Sequence, residues 1–357
     1  MRVLYDYQGF MQRYGGVSRY FVELTRAMRR QGGFEPLIPA FFTDNQYLEH
    51  TRTFLTHRPV KGKTRIMAAL NRAISLRSLS SDYDLFHPTY FSPYFLDRLE
   101  KPFVVTVHDM IHELFDGGQV RDDGTAGNTR LLCDRAAAVI AVSRNTKDDL
   151  CRLLGLPEKK VSVVHHATEL RYAGQARLHE RPYLLYVGER GGYKNFELFA
   201  ASVAPVLIRR GLDLVCAGGG ALSQKERALL SGLGLADRVV QLSFADQGSL
   251  ASLYHFAEAF CYPSLYEGFG IPLLEAFSCG CPVAASSTSS FPEIAGEAAE
   301  YFDPRDSSSI AQAVERAAFG RRDELIRLGR ERLSLYSWER SAAATLEVYR
   351  SVLGASD

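Results

Sequence analysis

The chain has 357 residues, 46% of them apolar, and 42 basic against 41 acidic side chains leave a net charge of +1. That length exceeds one ordinary domain, and the composition is sufficient for two buried cores. Near-neutrality excludes a global pull toward nucleic acid or membrane, so no nucleic-acid partner is expected and attraction to a surface must be local. The N-terminal MRVLYDYQGF lacks the apolar core of a leader, and no run of about 18 apolar residues occurs that would span a bilayer. Six cysteines, Cys133, Cys151, Cys216, Cys261, Cys279 and Cys281, without paired C-x-x-C spacing, read as buried thiols of a reducing compartment rather than metal ligands. The expected location is the cytoplasm.

Short apolar runs alternate with helical periodicity, which predicts an α/β fold of parallel sheets built from strand–helix units. The first half carries strands at Arg2–Tyr5, Leu37–Phe41, Leu85–His87, Phe103–Val107, Ala138–Val142 and Val161–Val164. The second half carries them at Tyr183–Val187, Leu214–Ala217, Val239–Leu242, Ala259–Tyr262 and Pro282–Ala285. The polar stretch Ala167–Pro182 between these sets reads as a linker, dividing a domain over 1–168 from one over 169–336. A final helix, Ser337–Leu353, occupies the remaining segment 337–357. Two doubly wound domains facing one another place a deep cleft at the carboxyl ends of both sheets.

After the first strand, RYGGVSRY (Arg13–Tyr20) contains Gly15–Gly16, whose backbone N–H groups can approach a ligand closely, although an ordinary turn would look the same. It is not a G-x-G-x-x-G fingerprint. The basic side chains Arg52, Arg58, Lys61, Lys63, Arg65, Arg72 and Arg77 follow with no acidic residue between Arg52 and Ser81, and Ile66, Leu70 and Ile74 share a helical face. That pattern suits an anionic membrane surface, or else a solvated helix. Asp82-Tyr83-Asp84 matches a D-x-D metal pattern, but it precedes a strand, where an Asp is common. His87 in FHPTYFSP has Pro88 fixing its backbone and Tyr90 and Phe91 as sugar-stacking faces. His108 and Asp109 end the strand FVVTV, where an imidazole can donate and accept near a hydroxyl. His165 and His166 precede the linker and read as structural.

In YLLYVGERGGYKN, Arg190 and Lys194 follow Gly188 just past a strand end, a placement that suits a diphosphate. The stretch Tyr262–Val283, YPSLYEGFGIPLLEAFSCGCPV, carries the most information. Pro263 ends an apolar run, Gly268 and Gly270 permit a tight turn, and Pro272 sits in the first turn of a helix. The N–H groups and positive dipole end of that helix favour an anion, phosphate above all. Glu275, one turn in, can accept hydrogen bonds from ribose hydroxyls, while Glu267 on the turn faces whatever hangs from the phosphate. The plainer reading leaves Glu267 solvated and Glu275 complementing the dipole.

The two glutamates bracket seven residues. Together with SLYEGFG, P-x-x-E-A, G-C-P-V, FPEIAG and AAEYFDP, this resembles, over about forty positions, the signature of the family 4 retaining glycosyltransferases of GT-B architecture. The resemblance implies two Rossmann-like domains, with the last helix crossing back to the first. It implies a nucleotide-sugar donor held by Gly15, Gly16, Gly188, Arg190, Lys194, Glu267, Gly268, Phe269, Gly270, Ile271 and Glu275. Arg190 and Lys194 would neutralise the diphosphate, Glu267 would orient the donor sugar, Glu275 would hold the ribose, and His108 would lie near the transferred sugar. The acceptor, a saccharide or lipid-linked saccharide, would meet Arg19, His87, Tyr90 and Asp109. No metal and no other cofactor is expected, because Arg190, Lys194 and the helix end already oppose the leaving-group charge.

GGVSRYF and the VHDxIxE pattern resemble mannosyltransferases using GDP-mannose in the synthesis of surface polysaccharides or glycolipids, with UDP-glucose and other donors open. An epimerase or phosphorylase of the same architecture, or a non-catalytic nucleotide-sugar-binding protein, are the alternatives. Peripheral contact with the inner face of the membrane through 52–77 is the further expectation.

Overall fold

The computed structural model describes residues 1–13, 15–48, 62–115, 124–243 and 246–354. The chain divides into two compact units, one of Met1–Leu114, Asp122–His166 and Ser337–Asp357, the other of Phe115–Arg121 and Ala167–Tyr336.

In the first unit, β1 (Arg2–Tyr5), β2 (Glu35–Leu37) and β3 (Leu85–His87) form a parallel sheet in the order β2-β1-β3. A second parallel sheet runs β4 (Val104–Val107), β5 (Ala138–Ala141), β6 (Val161–Val163), and a single bridge from Phe86 to Phe103 joins the two. Runs such as VVTV and AVIA are almost wholly buried, as parallel strands covered on both faces require. The second strand begins two residues earlier than the apolar run Leu37–Phe41 suggests. As an edge strand it pairs only with β1, so Pro36 opposite Val3 costs no ladder donor.

The last helix, Trp338–Gly354, belongs to this unit and lies against the helix Gly16–Gln31. Its Tyr349 hydroxyl lies 2.9 Å from that of Tyr5, and Glu339 accepts from Arg30 at 2.9 Å.

The second unit is one parallel sheet: β7 (Tyr183–Val187), β8 (Asp213–Ala217), β9 (Val239–Leu242), β10 (Ala259–Tyr262), β11 (Val283–Ser286) and β12 (Glu300–Phe302). The order β9-β8-β7-β10-β11-β12 is the doubly wound Rossmann order, which reverses between β7 and β10. β12 was not legible as a strand, since it is three residues long and opens on a glutamate. Glu300 is tolerated there because Arg316 and Arg321 pair with it at 2.9 and 2.6 Å. Strand order directs attention to the loops after β7 and β10, because ligands of such sheets bind where the order reverses.

Candidate active site

The loop after β7 leaves the strand through Gly188, at φ 115°, and ends on Asn195, at φ 57°, a left-handed conformation uncommon for a side-chain-bearing residue. Asn195 is held there by its amide, which donates to the carbonyls of Pro263 and Pro304 at 3.2 and 2.7 Å. Leu265 N–H donates to the Tyr193 carbonyl at 2.8 Å. These bonds fasten the β7 loop to the β10 loop and bring together two residues singled out in the sequence. Lys194 Nζ lies 2.6 Å from Glu267 Oε1, with the two side chains only 19% and 12% exposed. Burial pulls the Lys194 ammonium down, but Glu267 and Tyr193 outweigh it and hold the group above its ordinary value, so it stays charged.

The turn that carries Glu267 is clamped from the loop after β11. Ser289 Oγ accepts from the Glu267 N–H at 3.1 Å and donates to its carbonyl at 2.5 Å, while Ser290 Oγ reaches the carbonyls of Glu267 and Phe269 at 2.9 and 3.0 Å. Gly270, at φ 95°, turns the chain into the helix Ile271–Ser278, with Pro272 in its first turn. Glu275 is buried on that helix and accepts from the Tyr254 hydroxyl at 3.2 Å. Lys194, Glu267, Gly268, Phe269, Gly270, Ile271 and Glu275 thus belong to one constellation at the reversal of strand order.

Arg190 does not share it. Its side chain is 3% exposed, its Nε lies 2.6 Å from Glu226 Oε1, and its terminal nitrogens donate to the carbonyls of Gly218, Gly219, Gly220 and Ala221 at 2.9–3.3 Å. The expectation that it offers its charge to a diphosphate is corrected, because the side chain is buried and turned inward to Glu226 and four backbone carbonyls. The loop it organises escaped the sequence reading, although AGGG after an apolar strand was the available signal. Gly218, Gly219 and Gly220 all have positive φ, and a Cβ on Gly219 would stand 2.6 Å from the Gly188 carbonyl oxygen. Gly219→Ala is therefore expected to cost about 1–3 kcal/mol, from left-handed strain and a backbone clash that cannot be relieved by rotating a side chain. Chemical denaturation of the variant beside the unaltered chain measures it.

In the first unit the candidates disperse. Gly15 is the extended residue before the helix Gly16–Gln31, which Gly16 opens, and Arg19 lies half-buried in its first turns. His87 is fully buried, with Nδ1 2.6 Å from the Tyr349 hydroxyl and Nε2 3.0 Å from Thr106 Oγ1. It is a core residue that secures the last helix, which corrects its reading as an acceptor contact: neither nitrogen remains to meet a sugar. Tyr90, after β3, is exposed, and Asp109 Oδ1 accepts from the Ile111 N–H at 3.1 Å.

His108, at the end of β4, stacks on His166 (5.5 Å, 10°) and meets the edge of Tyr20. Its Nε2 is buried with no hydrogen-bond partner among the described residues, and burial lowers its pKa to about 4, leaving a neutral ring. Asp82 and Asp84 serve β1, where Arg2 donates to them through Nη1 and its backbone N–H, each at 2.6 Å.

Of the basic stretch, Arg52, Arg58 and Lys61 lie outside the described residues. The helix Lys63–Ser78 buries Met67, Asn71 and Ser75 and leaves Ile66 and Leu70 exposed at 53% and 40%, flanked by exposed Arg65, Arg72 and Arg77. Ile74 is half-buried and Lys63 pairs with Asp44 at 2.9 Å, so the outward face is narrower than the sequence pattern.

Two Rossmann-like units of parallel strands give the chain the GT-B fold. Residues 14–172 match the family described as Glycosyltransferase Family 4, and residues 172–331 match Glycosyl transferases group 1. The chain belongs to these group 1, family 4 glycosyltransferases.

Among relatives, O-antigen chain mannosyltransferase B of Escherichia coli is 26% identical over 388 residues, covering 98% of this chain and all of that protein. Among solved structures, sucrose-phosphate synthase from Thermosynechococcus elongatus superposes with a TM-score of 0.79 at 22% identity over 99% of both chains. Anabaena HepE in complex with UDP-glucose superposes with a TM-score of 0.69 at 16% identity, covering 98% of this chain and 100% of that one. At these identities both structures speak to the fold.

Proposed function

We propose that this glycosyltransferase moves a hexose, mannose from GDP-mannose in the first instance, to a saccharide or lipid-linked saccharide in the synthesis of a surface polysaccharide or glycolipid, with retention of anomeric configuration. The observation that carries the donor site is the Lys194–Glu267 pair beside the N-terminus of the helix Ile271–Ser278. A diphosphate fits there for two reasons: Lys194 supplies a positive charge held in place by Glu267, and the helix end supplies the positive end of its dipole. Mannose is favoured by the likeness to the Escherichia coli mannosyltransferase, whereas the HepE complex favours UDP-glucose as the second reading.

In the reaction, the bond from the anomeric carbon to the diphosphate oxygen breaks and the bond to the acceptor oxygen forms on the same face. The acceptor proton passes to the departing diphosphate. Glu267 orients the sugar and opposes the positive charge that develops on it, Glu275 holds the ribose, and neutral His108 donates a hydrogen bond to a sugar hydroxyl.

A thermal-shift panel of GDP-, UDP-, dTDP- and CMP-sugars tests the donor, because a ligand of the native state raises its stability by mass action. One donor should stand out, its shift should vanish in Glu275→Ala, and turnover should survive excess EDTA. Shifts by none of them, or a Glu275→Ala variant that responds unchanged, would overturn the assignment.

The helix Lys63–Ser78 supports contact with an anionic bilayer through Ile66, Leu70 and the arginines beside them. Sedimentation with phosphatidylcholine vesicles containing phosphatidylglycerol should fall at least tenfold in the triple variant Arg65→Glu/Arg72→Glu/Arg77→Glu. Binding indifferent to both lipid charge and these substitutions would remove the membrane from the reading.

A further inference from the structure

The Arg190 guanidinium is sequestered, and what it holds is a glycine-rich piece of backbone that is anchored at its start by the Gly218 N–H on the Leu242 carbonyl at 3.2 Å. Three successive glycines at φ 82°, 66° and 69° have little intrinsic preference for that conformation. The carbonyls of Gly218, Gly219, Gly220 and Ala221 all converge on this one side chain. Glu226 completes the assembly from the opposite side. Its Oε1 meets Arg190 Nε at 2.6 Å, while Oε2 accepts from the Ser223 N–H at 2.6 Å and closes a capping box on the helix Gln224–Gly232.

The held loop sits at the carboxyl end of β8, the neighbour of β7, and Gly219 lies directly against the Gly188 carbonyl. In a sheet of this strand order, the phosphates occupy the reversal point and the nucleoside extends toward the end of the second strand, which here is β8.

We propose that Arg190 is a positioning residue. Through Glu226 and the four carbonyls it fixes the Gly218–Ala221 loop as the wall that receives the nucleoside end of the donor, and it contributes no net charge to the diphosphate. This rests on the nucleotide-sugar reading above. Both cations are paired with a carboxylate at 2.6 Å, but Arg190 is also committed to four backbone carbonyls, whereas Lys194 lies at the reversal of strand order and is tied to no such set.

The test uses the full chain with Arg190→Lys, Arg190→Gln and Glu226→Gln, each checked for folding by circular dichroism. Dissociation constants are measured for GDP and UDP by calorimetry, and for guanosine and uridine by competition against whichever diphosphate binds. For the nucleotide that the unaltered chain binds, the diphosphate and its nucleoside should lose affinity together, by about tenfold, in both Arg190 variants. Lysine should not rescue, because it cannot span four carbonyls and Glu226 at once. Glu226→Gln, a partly exposed site that leaves Arg190 intact, should show the same paired loss, and kcat at saturating donor should change less than threefold in all three.

A loss confined to the diphosphate with nucleoside affinity unchanged, rescue by lysine, or a Glu226→Gln chain that binds normally would overturn the proposal. If the unaltered chain bound none of the four compounds, the donor reading itself would fall, and this one with it.

Discussion

Replacing Lys194 by methionine is expected to lower kcat/KM by about 10²–10³, the range seen when one preorganised stabiliser of a developing anion is removed. The same substitution should cost about 2–3 kcal/mol of stability, because Glu267 would be left 12% exposed without its partner at 2.6 Å. That is somewhat below the ~3–5 kcal/mol of a fully buried pair, since both side chains keep some solvent. The two effects separate in the double variant Lys194→Met/Glu267→Gln. With no charge stranded, stability should return to within about 1 kcal/mol of the parent, whereas activity should stay at least 10²-fold down, because neither the cation nor the carboxylate is restored. Denaturation curves and initial rates on the four corners of the cycle decide it. A single variant with parental kcat/KM, or a double variant that recovers activity along with stability, would show that the pair holds two loops together and does no chemistry.

The residues that make this pair were legible in the sequence because each stands in a local pattern: Lys194 six residues past a strand-ending glycine, Glu267 inside a glycine turn before a proline-initiated helix. Their contact was not. It depends on Asn195 bonding to carbonyls 68 and 109 residues away and on Ser289 and Ser290 reaching back over more than twenty. Serines and asparagines in such roles look like ordinary loop residues until the sheet order brings them near. The strands were mostly readable, because parallel strands buried on both faces are short apolar runs. β12 escaped for the opposite reason, since its buried Glu300 is acceptable only through two arginines elsewhere in the chain.

Arg190 and His87 show the commoner error. A charged or titratable residue at the end of a strand suggests a ligand, yet a long guanidinium can turn inward to backbone carbonyls, and an imidazole with hydroxyls on both sides is satisfied in a core. Burial separates these cases, and no spacing in the sequence reports it.

Buried histidines carry the second large expectation, which concerns acid. His87 is fully buried, and burial lowers its pKa to about 3; His166, also buried, lies well below its ordinary value for the same reason. Each native pKa is below the unfolded value of about 6.5. The unfolded chain therefore takes up protons first as pH falls, and stability is lost between about pH 6.5 and the native pKa. For each such ring the loss is about 1.4 kcal/mol per pH unit once below 6.5. Asp6, hydrogen-bonded to Thr89 and Gln8 with its pKa raised by burial, works in the opposite direction.

The His87 share can be isolated with His87→Gln, whose amide can both accept from Tyr349 and donate to Thr106 without titrating. Between pH 7.5 and 5.5 the parent should lose about 1.4 kcal/mol more than this variant, read from denaturant unfolding at the two pH values. Parallel pH dependence in the two proteins would mean that His87 is protonated within the fold. The Tyr5–Tyr349–His87–Thr106 chain of hydroxyls would then have to be tolerant of a cation, with Nδ1 and Nε2 both donating. Because that chain secures the last helix to β1, β3 and β4, the same measurement reports how firmly the first unit holds its C-terminal segment.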